Sequence, residues 1–374
     1  MNRREDAKLP RGVIPVLCSV LALALVAAGS VVVLRPSQNP GPERVQAIPV
    51  IETGSMNPSA ATIGFADSDL YGKSPEDINR TLDLMRQSGV STVRIMVPWA
   101  FVQPAPDQWD WGVVDTMVDA AQAHGISVLA ALNSTPGWAA PPSLIPYTAR
   151  PDSATAYGDF AAAAASRYRG RISAYEVWNE ANSVLFWTPN PDPAAYTELL
   201  KAAYPRIKAA DPSATVVGAG LAPVFSFGSL TLSPAEFVKG MYAAGAKGNF
   251  DALAYHPYLY TMKFSAGKGY PESPITQVTG MHQVMADNGD GGKTIWCTEY
   301  GEPTSAVDET TQADYVRDFI TTWRTLPFAG PVYIYSTRDR NTGSATDQDT
   351  FGVYRTDWTP KSAQQVIQSL APGG

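Results

Sequence analysis

From about residue 62 onward, short runs rich in Val, Ile and Tyr alternate with Ala-rich helical stretches. This alternation limits the fold more than any other feature. Strand-like runs stand at 62–65, 92–96, 127–131, 174–178, 215–217, 250–255, 293–297 and 332–335. A helical stretch comes after each: one opening at Ser74 and Pro75, then 113–124, 155–168, 193–209, one opening at Ser233 and Pro234, 276–287, 311–324 and 360–370. Ser74 and Ser233 are placed as N-caps, with Pro at the first helical position. Strands separated by helices pair in parallel, and eight of them close into a single (β/α)₈ TIM barrel. The rival architecture is an open doubly wound sheet. It calls for a Gly-rich phosphate loop after an early strand, which Gly64-Phe65-Ala66 does not supply.

The barrel is expected over residues 61–374, preceded by three segments. Residues 1–12 form a tail carrying Arg3, Arg4, Lys8 and Arg11, diluted by Glu5 and Asp6. Residues 13–34 carry no charge and are mostly Val, Leu and Ala, enough to span a bilayer with the basic tail in the cytoplasm. A cleaved signal peptide is the other reading, with small residues at Val26-Ala27-Ala28. Either one carries the rest of the chain to the outer side of the membrane, anchored or secreted. Residues 35–60 are rich in Pro, Ser, Asn and Gly and read as a linker.

The net charge of -7, without a dense basic run in the body, argues against a nucleic-acid partner. The three histidines, at 124, 256 and 282, show no metal-ligand spacing, so neither a metal nor another cofactor is expected. Cys18 lies in the apolar segment and Cys297 in a strand, which makes a disulfide between them implausible. Nine Trp and seventeen Tyr are the more telling count, because aromatic faces are what a protein offers to sugar rings.

In such a barrel the chemistry sits at the C-terminal ends of the strands. The fourth strand ends in Glu176-Val177-Trp178-Asn179-Glu180 and the seventh in Trp296-Cys297-Thr298-Glu299-Tyr300. The second carries Arg94, with Trp99 beyond it. The third leads through Asn133 to Trp138, the sixth ends at His256-Pro257-Tyr258, and the eighth at Tyr335-Ser336-Thr337-Arg338-Asp339. Carboxylates on strands four and seven face each other across the mouth. Cleaving a glycosidic bond needs such a pair, one protonated to assist the leaving oxygen and one ionised to attack the anomeric carbon.

Trp178-Asn179-Glu180-Ala181-Asn182 resembles the strand-four signature of clan A glycoside hydrolases, the group of many cellulases, xylanases, β-xylosidases and mannanases. Thr298-Glu299-Tyr300-Gly301 resembles that clan's strand-seven nucleophile. Arg94 matches its strand-two arginine, and His256 with Tyr258 its strand-six residues. Arg338-Asp339, Phe351-Gly352 and Thr359-Pro360-Lys361 point to the β-xylosidase and iduronidase-like branch. The resemblance runs in order from about residue 62 to 371. It implies a retaining glycoside hydrolase or transglycosylase cleaving β-glycosidic bonds of a poly- or oligosaccharide, with Glu180 as acid/base and Glu299 as nucleophile; the apolar N-terminal segment implies that this substrate is extracellular. It further implies that Asn179 bonds the sugar 2-hydroxyl and that Tyr258 or His256 orients the nucleophile. Many clan members carry a Trp on strand eight under the sugar, where this chain has Tyr335-Ser336.

Trp99, Trp138, Asn133, Tyr335 and Arg338 complete the expected substrate-binding set, with core packing as the alternative for the two Trp. Arg338 and Asp339 are placed at the substrate rim by the resemblance. Glu176, on the same period-2 face as Glu180, is expected to be buried against Arg94. Glu302 reads as a loop residue. Loops 136–148, 221–232 and 261–274 are expected to shape the cleft. The body is expected to be monomeric. The competing function is a tethered sugar-binding barrel without chemistry.

Overall fold

The computed structural model describes residues 56–141, 143, 145 and 147–372. The basic tail, the segment at 13–34 and most of the linker lie outside the described residues. Eight strands form a closed barrel in chain order, every pair parallel. They are β1 (Ile63–Ala66), β2 (Thr92–Pro98), β3 (Ser127–Asn133), β4 (Ala174–Asn179), β5 (Thr215–Leu221), β6 (Ala252–Tyr255), β7 (Ile295–Tyr300) and β8 (Ala329–Tyr335). The helices that return the chain are α1 (Pro75–Gln87), α2 (Gly112–Ala123), α3 (Ala154–Arg167), α4 (Pro193–Ala210), α5 (Pro234–Ala243), α6 (Pro274–Asp287), α7 (Glu309–Trp323) and α8 (Ser362–Leu370).

The helices start where capping chemistry allows. Ser74 accepts from the Asp77 amide, Ser153 from Ala156, Asp192 from Ala194 and Ala195, and Asp308 from Thr311, each satisfying a first-turn N–H. Ser233 departs from the expected pattern. Pro234 does open α5, but the Ser233 side chain caps nothing, and its amide donates instead to Ser226 Oγ at 2.9 Å.

Two apolar layers arise from strand alternation. Residues such as Val93, Ile95, Val128 and Val216 pack outward against the helices. Leu129, Val217, Trp296 and Tyr333 belong to a smaller cluster that fills the barrel. Space for it comes from missing side chains: a Cβ on Gly330 would stand 2.3 Å from the Trp296 ring. That glycine, with Pro331 after it, hides the first half of β8 from a sequence reading, because both residues are depleted in strands.

The body also starts earlier than the linker expectation. Thr92 Oγ1 and the Tyr333 hydroxyl both donate to Met56 Sδ, at 3.4 and 2.8 Å. The Met56 side chain therefore packs onto β2 and β8 at the N-terminal end of the barrel.

Candidate active site

Four strands, β2, β4, β6 and β7, and the residues just past their ends deliver polar side chains to one buried cluster. Arg94, from the middle of β2, is 1% exposed and donates to three partners. Its Nε reaches Glu176 Oε2 at 2.6 Å, one terminal nitrogen reaches Glu299 Oε1 at 2.5 Å, and the other reaches Asn179 Oδ1 at 2.8 Å. The expected Arg94–Glu176 pair is therefore present. Two buried carboxylates around a single guanidinium hold its proton more tightly than usual, in spite of its burial.

The end of β4 does not keep strict alternation. Trp178 and Glu180 adopt positive φ, 73° and 49°. Left-handed backbone at a bulky residue costs about 1–3 kcal/mol and persists only where the surroundings impose it. Here the Glu180 amide donates to Gly220 O at 2.8 Å, and the Trp178 indole donates to Phe186 O at 2.8 Å. Trp178 thereby leaves the face it would share with Glu176 and packs edge-on against Trp187. Asn179 takes its place beside Arg94. The turn at Trp178 breaks the single period-2 face expected from Glu176 to Glu180.

Glu180 and Glu299 stand across the mouth as expected. One carboxylate oxygen from each, together with a ring nitrogen of His256, lie within 4.8 Å of one another. Their environments differ. Glu299 accepts from Arg94 on one oxygen and from the Tyr258 hydroxyl on the other, at 2.9 Å. Burial alone would raise its proton affinity, but the charges of His256 and Arg94 and these two donors hold it below the ordinary carboxylate range. Glu180 has one polar partner, His256 Nδ1 at 2.9 Å from its Oε1, and its Oε2 has none. There burial dominates, aided by the nearby Glu299 charge, and the proton affinity rises despite the opposing His256 contact. His256 itself is raised: burial lowers it, and Glu299 and Glu180 outweigh that. Its Nε2 meets Thr298 Oγ1 at 3.0 Å, and Thr298 donates to Glu176 Oε1 at 2.7 Å.

Glu180, His256 and Glu299 are also the group with ligand spacing for a cation among the described residues. Both Glu299 oxygens are already engaged by donors, so the arrangement fits proton chemistry better than ion binding.

The remaining expected residues divide. Tyr335 forms a wall with its ring edge-on to Tyr258 and Phe351, and its hydroxyl donates to Gln348 Oε1 at 3.2 Å. Asn133 Oδ1 is buried without a partner. Trp138 keeps 37% exposure while its indole donates to Gln103 O. Trp99 is a correction. It is fully buried, stacked on Phe160 of α3 at 5.6 Å, so its faces are used by the core. Arg338 is another: its guanidinium lies over the Trp358 ring at 3.7 Å and donates to Thr356 O. Asp339 is not on the rim either, being buried against Lys361 Nζ at 2.8 Å. Glu302 does come after β7 in a loop, yet it is buried, accepts from Tyr300 and has its proton affinity pushed up by desolvation.

Three features of the cluster are not visible in the sequence. Thr298 stands inside a recognisable motif without an assigned role, Gly220 gives no signal, and the ion pair Asp69–Arg340 beside Tyr335 has none.

A closed parallel barrel carrying one carboxylate just past β4 and one on β7, set close together with proton affinities shifted in opposite directions, defines the glycoside-hydrolase class of site. Known proteins agree with this. The family model described as cellulase (glycosyl hydrolase family 5) matches residues 55–326, and the chain belongs to that family, whose members are retaining clan A glycosidases. The match ends before β8. No curated protein matches the chain. Among solved structures it is similar to a family 39 glycoside hydrolase from Bacteroides cellulosilyticus, with 22% identity, a TM-score of 0.67, and coverage of 84% of this chain and 64% of that one. The chain thus spans just under two thirds of that neighbour's length. A monomeric beta-xylosidase from Caulobacter crescentus shows 19% identity and a TM-score of 0.62 over 84% of this chain and 69% of that one. A GH5_18 protein from Bifidobacterium longum, solved with Manb1-4GlcNAc, shows 14% identity and a TM-score of 0.62 over 83% and 77%. At these identities the structures speak for the fold alone.

Proposed function

We propose that the chain cleaves or transfers β-glycosidic bonds of a poly- or oligosaccharide with retention, with Glu180 as acid/base and Glu299 as nucleophile. The observation that carries this reading is the carboxylate pair: one oxygen of each within 4.8 Å, one group raised in proton affinity and the other lowered. A spacing near 5 Å leaves no room for water behind the sugar, so the second carboxylate attacks the anomeric carbon itself. Glu180 gives its proton to the leaving oxygen as the bond to the anomeric carbon breaks, and Glu299 forms the glycosyl ester. Glu180 then takes a proton from water, or from an acceptor hydroxyl, whose oxygen displaces Glu299. The acid is restored and the configuration retained.

Neighbouring groups fit the same chemistry. Arg94 occupies Asn179 Oδ1, which leaves the amide Nδ2 to donate to the sugar 2-hydroxyl. Tyr258 and Arg94 aim the Glu299 carboxylate. Asn133 Oδ1 offers an acceptor, Tyr335 a wall and Trp138 an exposed ring face. The uncharged run at 13–34 behind a basic tail supports a location on the outer side of the membrane, anchored or secreted. No helix among the described residues is long and apolar enough to cross a membrane.

The test uses protein from residue 43 onward on a panel of glycans and aryl β-glycosides. Glu180→Ala and Glu299→Ala should each lower turnover by about 10²–10⁴-fold or more. Azide should return a product of retained configuration with Glu180→Ala and of inverted configuration with Glu299→Ala. Near wild-type turnover in either variant overturns the assignment. Glycan binding by the wild type with no turnover anywhere identifies a sugar-binding barrel instead.

A further inference from the structure

The hydrogen-bond directions around His256 are fixed by groups that have no choice. Arg94 can only donate, and Glu176, salt-bridged to it, can only accept. The one hydroxyl proton of Thr298 goes to Glu176 Oε1 at 2.7 Å. The Thr298 oxygen therefore meets His256 Nε2, 3.0 Å away, as an acceptor, and Nε2 must carry a proton. On the other side of the ring, Nδ1 faces Glu180 Oε1 at 2.9 Å.

We propose that Thr298 is a positioning residue that locks a proton on His256 Nε2, so that Nδ1 and Glu180 share a single proton between them. This rests on the reading of Glu180 as acid/base. While the pair holds its proton, one partner donates and the other accepts. Once the proton leaves, the Glu180 carboxylate faces the Nδ1 lone pair. The ring cannot relieve this by moving its remaining proton to Nδ1, because Thr298 has no second proton to offer a bare Nε2. The lock therefore keeps the acid protonated to higher pH than a ring free to move its proton to Nδ1 would.

The surroundings leave this route open and no other. Glu299 on β7 stands 3.8 Å from Nδ1 but is engaged by Tyr258 and Arg94. Tyr258 meets the ring edge-on at 6.4 Å. Arg94 lies behind Glu176. On β5, Gly220 presents no side chain, and a Cβ there would stand 2.1 Å from Nε2. The slot admits the imidazole in one orientation.

With three histidines in the chain, imidazole ¹⁵N spectra can test this directly. Spectra of histidine-labelled wild type, Thr298→Ser and Thr298→Val are recorded across pH, with His256→Gln used to assign the resonance. Wild type and Thr298→Ser should keep Nε2 protonated at every pH. Thr298→Val should move the proton to Nδ1 once the pair has lost its shared proton. In kcat/KM profiles on an aryl β-glycoside, Thr298→Val should bring the alkaline limb down by about one pH unit, the scale of one hydrogen bond, and Thr298→Ser should restore it. A bare Nε2 in wild type, or an alkaline limb that stays in place in Thr298→Val, overturns the proposal. If Thr298→Val fails to fold, the wild-type and Thr298→Ser spectra still decide it. Absence of turnover by wild type on all glycosides counts against the hydrolase reading alone, because the ring spectra need no substrate.

Discussion

Lys361 and Asp339 illustrate how a single pair can join two parts of the chain. Both side chains are fully buried, and Lys361 Nζ also donates to Thr304 Oγ1 and Thr350 O, tying the loops after β7 and β8 to the start of α8. Lys361→Met leaves Asp339 uncompensated in the interior and should cost about 3–5 kcal/mol in urea unfolding. Asp339→Asn in the same chain should recover part of that loss. An unchanged midpoint in the single variant would show that water reaches the pair. The sequence shows both motifs but not that they bind each other, because a contact across the residues between them has no local signature. Trp99 misleads for a similar reason: its position after β2 suits a sugar platform, and only Phe160, far along the chain, shows where its ring lies.

At the scale of elements, the strands are easy to find where β-branched residues run together and hard to find where function or packing overrides propensity. The Val and aromatic residues of β4 locate the strand, but its final turn has no such signal. That turn depends on Gly220 O and on the next loop, which is stitched to it by Asn182. Its Nδ2 donates to Ala222 O and Leu232 O, and its Oδ1 accepts from the Ala222 amide. Asn182→Ala should destabilise the fold by about 2–3 kcal/mol, since buried backbone groups lose their partners. It should also reduce kcat more than it changes KM, because Glu180 sits two residues away. A variant with normal kcat and lowered stability would confine Asn182 to a structural role. Gly220→Ala goes further: its Cβ displaces His256, so turnover should fall with little change in the helices. Circular dichroism beside activity distinguishes this from unfolding.

For the whole molecule, the closed eight-strand barrel can be read from the number and order of the strands. The electrostatics cannot, because they depend on burial. Asp67, just past β1, has its pKa pushed to about 6 by burial and by the nearby Asp69 charge, against an ordinary value of 3.8. The folded state then holds a proton that the unfolded chain has released, so this group's contribution to stability falls as pH rises from about 4 to about 6. Its full extent is roughly 3 kcal/mol. Asp67→Asn should therefore gain on wild type above pH 6 and lose that advantage at pH 4, as read from unfolding midpoints at the two pH values. Equal differences at both would refute the assignment.

The Met56 contacts with Thr92 and Tyr333, and Arg324 donating to Ala60 O, Ala61 O and Leu370 O, hold both ends of the described body at the pole opposite the catalytic mouth. The molecule consequently has a built-in compass. A resin or carrier coupled ahead of Met56 joins the body on the side away from the mouth, so immobilisation through that end should cost little access even to a long glycan.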